Sequence, residues 1–125
     1  MEQMMRPCSL SFASDLFEIC RKDHVGMSCE VKLNTQPNNF ITVLDEIPAV
    51  DYVESDDEGP DSFVVNMGAA EFGFDLPIQC SMWIADTDQI EIAIATENYA
   101  AFFMSSRLST RAMFKARNMK ETDCD

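Results

Sequence analysis

Met27-Ser-Cys-Glu-Val-Lys-Leu33 alternates apolar and polar side chains without a break, with Met27, Cys29, Val31 and Leu33 on one side of an extended chain and Ser28, Glu30 and Lys32 on the other. Successive side chains of a strand point to opposite faces, so the stretch predicts a strand with one buried and one wet face. The turn-rich segment Asn34-Thr-Gln-Pro-Asn-Asn39 follows, and after it the β-branched run Phe40–Ile47, closed by Pro48. Two such runs joined by turn residues predict a hairpin with a longer loop.

Upstream the period changes. Leu10, Ala13, Leu16 or Phe17, and Cys20 recur at helical spacing while Asp15, Glu18 and Arg21 take other faces, which predicts an amphipathic helix over Leu10–Lys22 with Gly26 as a stop beyond it. Downstream, Asp51-Tyr-Val-Glu-Ser-Asp-Asp-Glu-Gly-Pro-Asp61 reads as an exposed acidic loop. Ser62–Met67 is a further short strand, and Gly68–Pro77, with two Gly and a Pro, reads as a connection or a short helical turn. Ile78–Ala85 and Gln89–Thr96 flank the polar tip Asp86-Thr-Asp88; Ile90, Ile92 and Ile94 alternate with Glu91, Ala93 and Ala95, which supports a second hairpin.

Thr96 is a candidate helix cap, with Glu97 in the first turn and Tyr99, Phe102 and Phe103 turned toward a core. A further helical stretch is expected over Ser109–Met119, and the tail Glu121–Asp125 is expected to fray. Phe103, Met104, Met113 and Phe114 count as core residues of these helices, with a partner seam as the alternative role for some of them. At 125 residues, 46% hydrophobic and 25% charged, the chain has the profile of a single globular domain over residues 1–125. The expected fold class is α+β: an antiparallel sheet of about five strands flanked by an N-terminal helix and one or two C-terminal helices packed on one face.

Charge excludes several functions. The formal net charge is −13, and residues 34–106 hold every one of Asp45, Glu46, Asp51, Glu54, Asp56, Asp57, Glu58, Asp61, Glu71, Asp75, Asp86, Asp88, Glu91 and Glu97 but no Lys or Arg. A surface of this sign repels phosphate backbones and anionic lipid, so neither direct nucleic-acid binding nor a membrane surface is expected. No apolar run approaches the length of a membrane span, and Met1–Leu10 lacks a secretory signature, so a cytoplasmic, intracellular location is expected. The five cysteines are an odd, scattered set without a C-x-x-C pair, and Cys20, Cys29 and Cys80 fall on apolar faces as buried free thiols.

Catalytic apparatus is not found. His24 is the single histidine and stands beside Asp23 at a polar helix end, a capping or solvated position, and no Ser-His-Asp or Cys-His set can be assembled without it. Ligand spacing for zinc is lacking. Glu54-x-Asp56-x-Glu58-Gly59 has the alternating oxygens of a calcium loop, but the twelfth position is Val65 where a bidentate Glu is required. No phosphate-cradling Gly-rich motif is present. The expectation is a non-enzymatic protein with no cofactor and no metal, acting by binding a macromolecule.

Residues two apart on an extended face lie roughly 6.6 Å from each other, about two nucleotide steps along a DNA strand, so spaced carboxylates can imitate phosphates. Asp51, Glu54, Asp56, Asp57, Glu58 and Asp61 of the loop, Asp86 and Asp88 at the hairpin tip, and Glu91 beside it are the candidate partner-binding residues. The expected partner is a protein with a Lys- and Arg-lined groove, one that processes nucleic acid. The bland alternative is a set of solvated loops kept acidic for solubility. At the other pole Arg107, Arg111 and Lys115 recur every four residues, predicting a face that either pairs with the acidic sheet of the same chain or meets another copy in a homodimer.

In size, acidity and lack of motifs the chain resembles small phage-encoded inhibitors, among them anti-CRISPR and DNA-mimic proteins, a likeness that implies a viral inhibitor working in a host cytoplasm. The order helix, strands, connection, strands, helix also resembles class I type III secretion chaperones, acidic dimers that bind unfolded segments; that likeness implies a chaperone or assembly adaptor instead. Gly68–Pro77, poor in helix formers, stands where that family has its central dimerisation helix.

Overall fold

The alternation at Met27–Leu33 builds the centre of an antiparallel sheet. The computed structural model describes residues 5–33, 36–54, 61–68 and 70–119, the side chains of 36–41 and 44 excepted. In chain order the elements are β1 (Arg6–Cys8), α1 (Leu10–Lys22), β2 (Met27–Leu33), β3 (Gln36–Glu46), β4 (Pro48–Val53), β5 (Ser62–Met67), β6 (Ala70–Asp75), β7 (Gln79–Ile84), β8 (Ile90–Ala95), β9 (Tyr99–Ser105) and α2 (Thr110–Arg117). Strands β1-β7-β8-β9-β2-β3 form a large sheet and β4-β5-β6 a small one, every described neighbour pair antiparallel. The α+β class with a helix near each end is as expected; the sheet is wider than five strands, and a second sheet is present.

One chain segment joins the two sheets. Between the pairs Met27↔Glu46 and Cys29↔Val43 the register slips, and Asp45 there adopts a left-handed φ of 55°. A bulge of this kind bends and twists a strand, and β3 passes through Ile47 into β4, leaving the large sheet for the small one. Gly26 permits the bend: a Cβ there would collide with the Asp45 side chain and lie 3.1 Å from its carbonyl carbon. Gly26 is therefore a close-approach residue rather than the helix stop expected of it. The stop is His24, which is exposed and takes φ 56°, its N–H donating to the Arg21 carbonyl.

Several segments differ from their sequence reading, among them Asn34–Asn39, where β3 already begins at Gln36. Thr96 does not cap a helix; its Oγ1 accepts from the N–H groups of Asn98 (3.2 Å) and Tyr99 (3.2 Å), closing a tight turn into β9. Tyr99, Phe102 and Phe103 are thus strand residues, and only Phe103 of the last two is buried. Gly68–Pro77 is not a connection: Glu71-Phe-Gly-Phe-Asp75 alternates, and β6 pairs along its whole length with β5. The acidic segment 51–61 is partly strand as well, since β4 runs to Val53; residues 55–60 lie outside the described residues, as do Cys124 and the tail 121–125.

The core sits between the sheets and beneath α1. Phe103 of the large sheet meets Phe17 of α1 edge-on at 5.0 Å, and Phe72 and Phe74 of the small sheet at 6.3 and 6.4 Å. Edge-to-face aromatic pairs of this kind add to the burial of large apolar surfaces. Ile90, Ile92, Ile94, Met27, Met82, Val65 and Met67 fill the space around them. Cys8 is buried, and Cys20, Cys29 and Cys80 are buried free thiols; burial pushes Cys20 and Cys29 up to about 12 and Cys80 to about 11, which leaves these three unreactive near neutrality. The last core expectations divide: Met113 is buried, whereas Phe114 is 69% exposed and Met104 43%.

Candidate functional site

The small sheet repeats the two-faced logic of the large one, with acids and no cation on its wet side. Val50, Phe63, Val65, Met67, Phe72 and Phe74 turn inward, so their neighbours turn outward. The register then sets three outward rows: Ala49–Asn66–Glu71, Asp51–Val64–Gly73 and Val53–Ser62–Asp75. Asp51, Glu71 and Asp75 share this solvent face, and all three are exposed. From strand spacing and rise, Asp51 lies roughly 12 Å from each of the other two, and Glu71 and Asp75 roughly 13 Å apart. None of the three makes an ion pair within 4 Å among the described residues.

Two of the acids at one end of this face are held by hydroxyls. Ser62 Oγ donates to Asp75 Oδ1 at 2.9 Å, and Tyr52 OH donates to Asp61 Oδ2 at 3.0 Å. The second bond, made to an anion, raises the Tyr52 phenol above its ordinary value. Asp61 also accepts the Leu76 N–H on its main-chain carbonyl (2.9 Å), and Tyr99 OH donates to the Gly73 carbonyl, so the start of β9 is tied to this end of the small sheet. Here Asp75, Thr96, Glu97, Asn98 and Tyr99 line a cavity of about 330 Å³. Glu54, just past β4, is exposed. Asp56, Asp57 and Glu58 lie outside the described residues.

The remaining expected site residues are elsewhere. Asp86 and Asp88 occupy the β7–β8 turn, at the Ser105 end of β9, where Gln89 Nε2 donates to the Ser105 carbonyl at 3.1 Å. β9 has seven residues, so the tip is roughly 20 Å from the Tyr99 end. Asp88 is not a free phosphate imitator. It faces Arg107 Nε and Arg117 Nη2 at 3.6 Å each, and its carbonyl accepts the Leu108 N–H at 2.8 Å, so it fastens the segment leading into α2. Glu91 is on the outer face of the large sheet between Trp83 and Met104. The acidic set expected to act together is therefore split three ways.

The cationic face is also divided. Arg107 precedes α2 rather than belonging to it, whereas Arg111 and Lys115 line a groove of about 430 Å³ between the helices with Asp15, Glu18, Lys22 and Asp23. At the end of that groove Asp23, the α1 C-cap, accepts from Ser109 N–H (2.9 Å) and Ser109 Oγ (2.7 Å), and Ser109 in turn accepts from Ala112 N–H as the α2 N-cap. The Ser109 bonds hold the Asp23 carboxyl below its ordinary value. The Arg21 guanidinium does the same for Glu18 across 2.6 Å. No group of three His, Cys, Asp or Glu among the described residues is placed to hold a metal.

Glu71 and Asp75 are the site residues that reading along the chain missed. Their signal was the alternation Glu71-Phe-Gly-Phe-Asp75, obscured by Gly73 and Pro77. No family model matches the chain, and no curated protein or solved structure is similar to it at a significant level. No described helix is long and apolar enough to cross a membrane. The central helix that a class I type III secretion chaperone requires has strand β6 in its place.

Proposed function

We propose that this protein is a non-enzymatic inhibitor that sets the outer face of its small sheet into a basic nucleic-acid groove of a protein partner, in the manner of phage-encoded DNA mimics, in the cytoplasm where such partners work. One observation carries the reading: Asp51, Glu71 and Asp75 share a single solvent face, and no Lys or Arg occurs anywhere in β4, β5 or β6. A domain made acidic for solubility alone has no need to withhold every cation from three adjacent strands, where interspersed Lys relieves repulsion. The hydroxyl bonds to Asp75 and Asp61 fix carboxylates in advance, which reduces the side-chain ordering that binding would otherwise require. A groove lined by Lys and Arg would meet this face with complementary potential and fast, salt-sensitive association.

The test is capture of a partner with the wild-type chain and with Asp51→Asn/Glu71→Gln/Asp75→Asn at rising ionic strength. The expected partner binds nucleic acid, is released as salt rises, is displaced by competing DNA or RNA, and fails to bind the triple variant. Binding that survives both salt and neutralisation would remove the acidic face from the site.

A further inference from the structure

The outer face of the large sheet is composed differently. Its rows, read from the register, are Trp83–Glu91–Met104–Ser28, then Ser81–Ala93–Phe102–Glu30–Thr42, then Gln79–Ala95–Ala100–Lys32. No described helix or small-sheet strand lies over it, because the small sheet and α1 pack on the opposite side through Phe103 and its aromatic neighbours. Phe102 and Met104 are each 43% exposed in the middle of this face, and a shallow cavity of about 290 Å³ opens beside them between Glu30 and Glu91.

We propose that this face is the contact between two copies of the chain, apposed about Phe102. Three observations select a second copy as the occupant. The first is self-complementarity. Glu91 lies one strand to one side of Phe102 and one row up, and Lys32 lies one strand to the other side and one row down. A two-fold contact sets a residue on the axis against itself and needs each residue off the axis to oppose one that opposes it in return. An axis through Phe102 sets Phe102 on Phe102, Glu91 on Lys32 and Lys32 on Glu91. The second is charge. Lys32 is already drawn over this face, its Nζ 5.7 Å from the Phe102 ring centroid and 3.8 Å from Glu30 Oε1. The face is thus close to neutral in a chain of net charge −13, whereas contact between two small-sheet faces would oppose like charges. The third is size. Five strands by three rows cover roughly 24 by 20 Å, so two copies bury on the order of 1,000 Å², the lower end of specific interfaces. A concentration-dependent dimer follows, with an acidic small sheet facing outward at each end.

Sedimentation equilibrium across a hundredfold concentration range tests this, with the fluorescence of Trp83, the single tryptophan and a member of the same face, as a second reading on dilution. The expected result is a monomer–dimer equilibrium in which Phe102→Ser gives a monomer of unchanged circular dichroism. Lys32→Glu weakens the dimer at least tenfold, and adding Glu91→Lys restores it. Within one chain these two residues are roughly 16 Å apart, so restoration reports a contact between copies. A chain that stays monomeric, a dimer indifferent to Phe102→Ser, or a double variant no better than Lys32→Glu would each overturn the proposal. A monomer whose Trp83 signal responds to a peptide of alternating Lys and Leu would overturn it too, giving the face to a basic apolar partner. Failure here leaves the acidic-face reading intact, because the two surfaces share no residue.

Discussion

The solvent faces of the two sheets are built by the same alternation and end with opposite character. Outward positions of the small sheet hold Asp51, Glu71 and Asp75 without a cation, whereas those of the large sheet hold Phe102 and Met104 with Glu30, Lys32 and Glu91 around them. Back to back, they share one core through Phe103. Period-2 patterning decides only which side chains are outward; what the outward set is suited to meet depends on which strands become neighbours.

The harshest way to break this comparison is to unlock the two sheets from each other. Phe103→Ala removes the ring that touches Phe17, Phe72 and Phe74, and a destabilisation of about 4 kcal/mol is expected in urea unfolding. A loss below about 1 kcal/mol would mean that each sheet holds without the other.

Neutralising the small face with Asp51→Asn/Glu71→Gln/Asp75→Asn sharpens the contrast. Partner affinity is expected to fall about tenfold to a hundredfold, roughly 1.4–2.8 kcal/mol, while the fold is kept. Smaller still is the helix clasp. Asp23→Ala deprives Ser109 of its acceptor at an expected cost of about 1 kcal/mol, solvent screening included. Because the Asp23 carboxyl is held below its ordinary value of 3.8 in the folded chain, the stabilisation it brings is full above that value and lost as pH falls through the lowered one. The variant should therefore differ from wild type at pH 7 and converge with it once the pH has fallen through that lowered value, as thermal melts would show.

Moderate salt should raise the wild-type melting temperature by a few degrees at most and raise that of the triple variant less, since screening relieves repulsion only where acids face one another. A flat response in both would count against crowding on the small sheet. The least effect is expected from Asp88→Asn, about 0.5 kcal/mol or less, because its pairs with Arg107 and Arg117 span 3.6 Å at a partly exposed site.

Much of the local structure was legible. Helix α1 over Leu10–Lys22 and strands β2 over Met27–Leu33 and β5 over Ser62–Met67 match their expected bounds, since each has one polar and one apolar face. Strand β9 was misread for an instructive reason. Its outward residues Phe102 and Met104 are apolar like its inward ones, so the period of two disappears and the unbroken apolar run Tyr99–Met104 after Thr96-Glu97-Asn98 imitates a helix start. The residues that hid the strand are those that give the large sheet its exposed apolar face.

By itself the sequence determined the sign and the segregation of charge, the alternating strands and the two helical segments, because those depend on residues close along the chain. Only the tertiary structure decided which acids meet. Asp51, Glu71 and Asp75 are joined by pairing of β4, β5 and β6, while Asp88 is claimed by Arg107 and Arg117. Strand neighbours and ion pairs are settled by contacts between distant segments, and a local pattern carries no record of them.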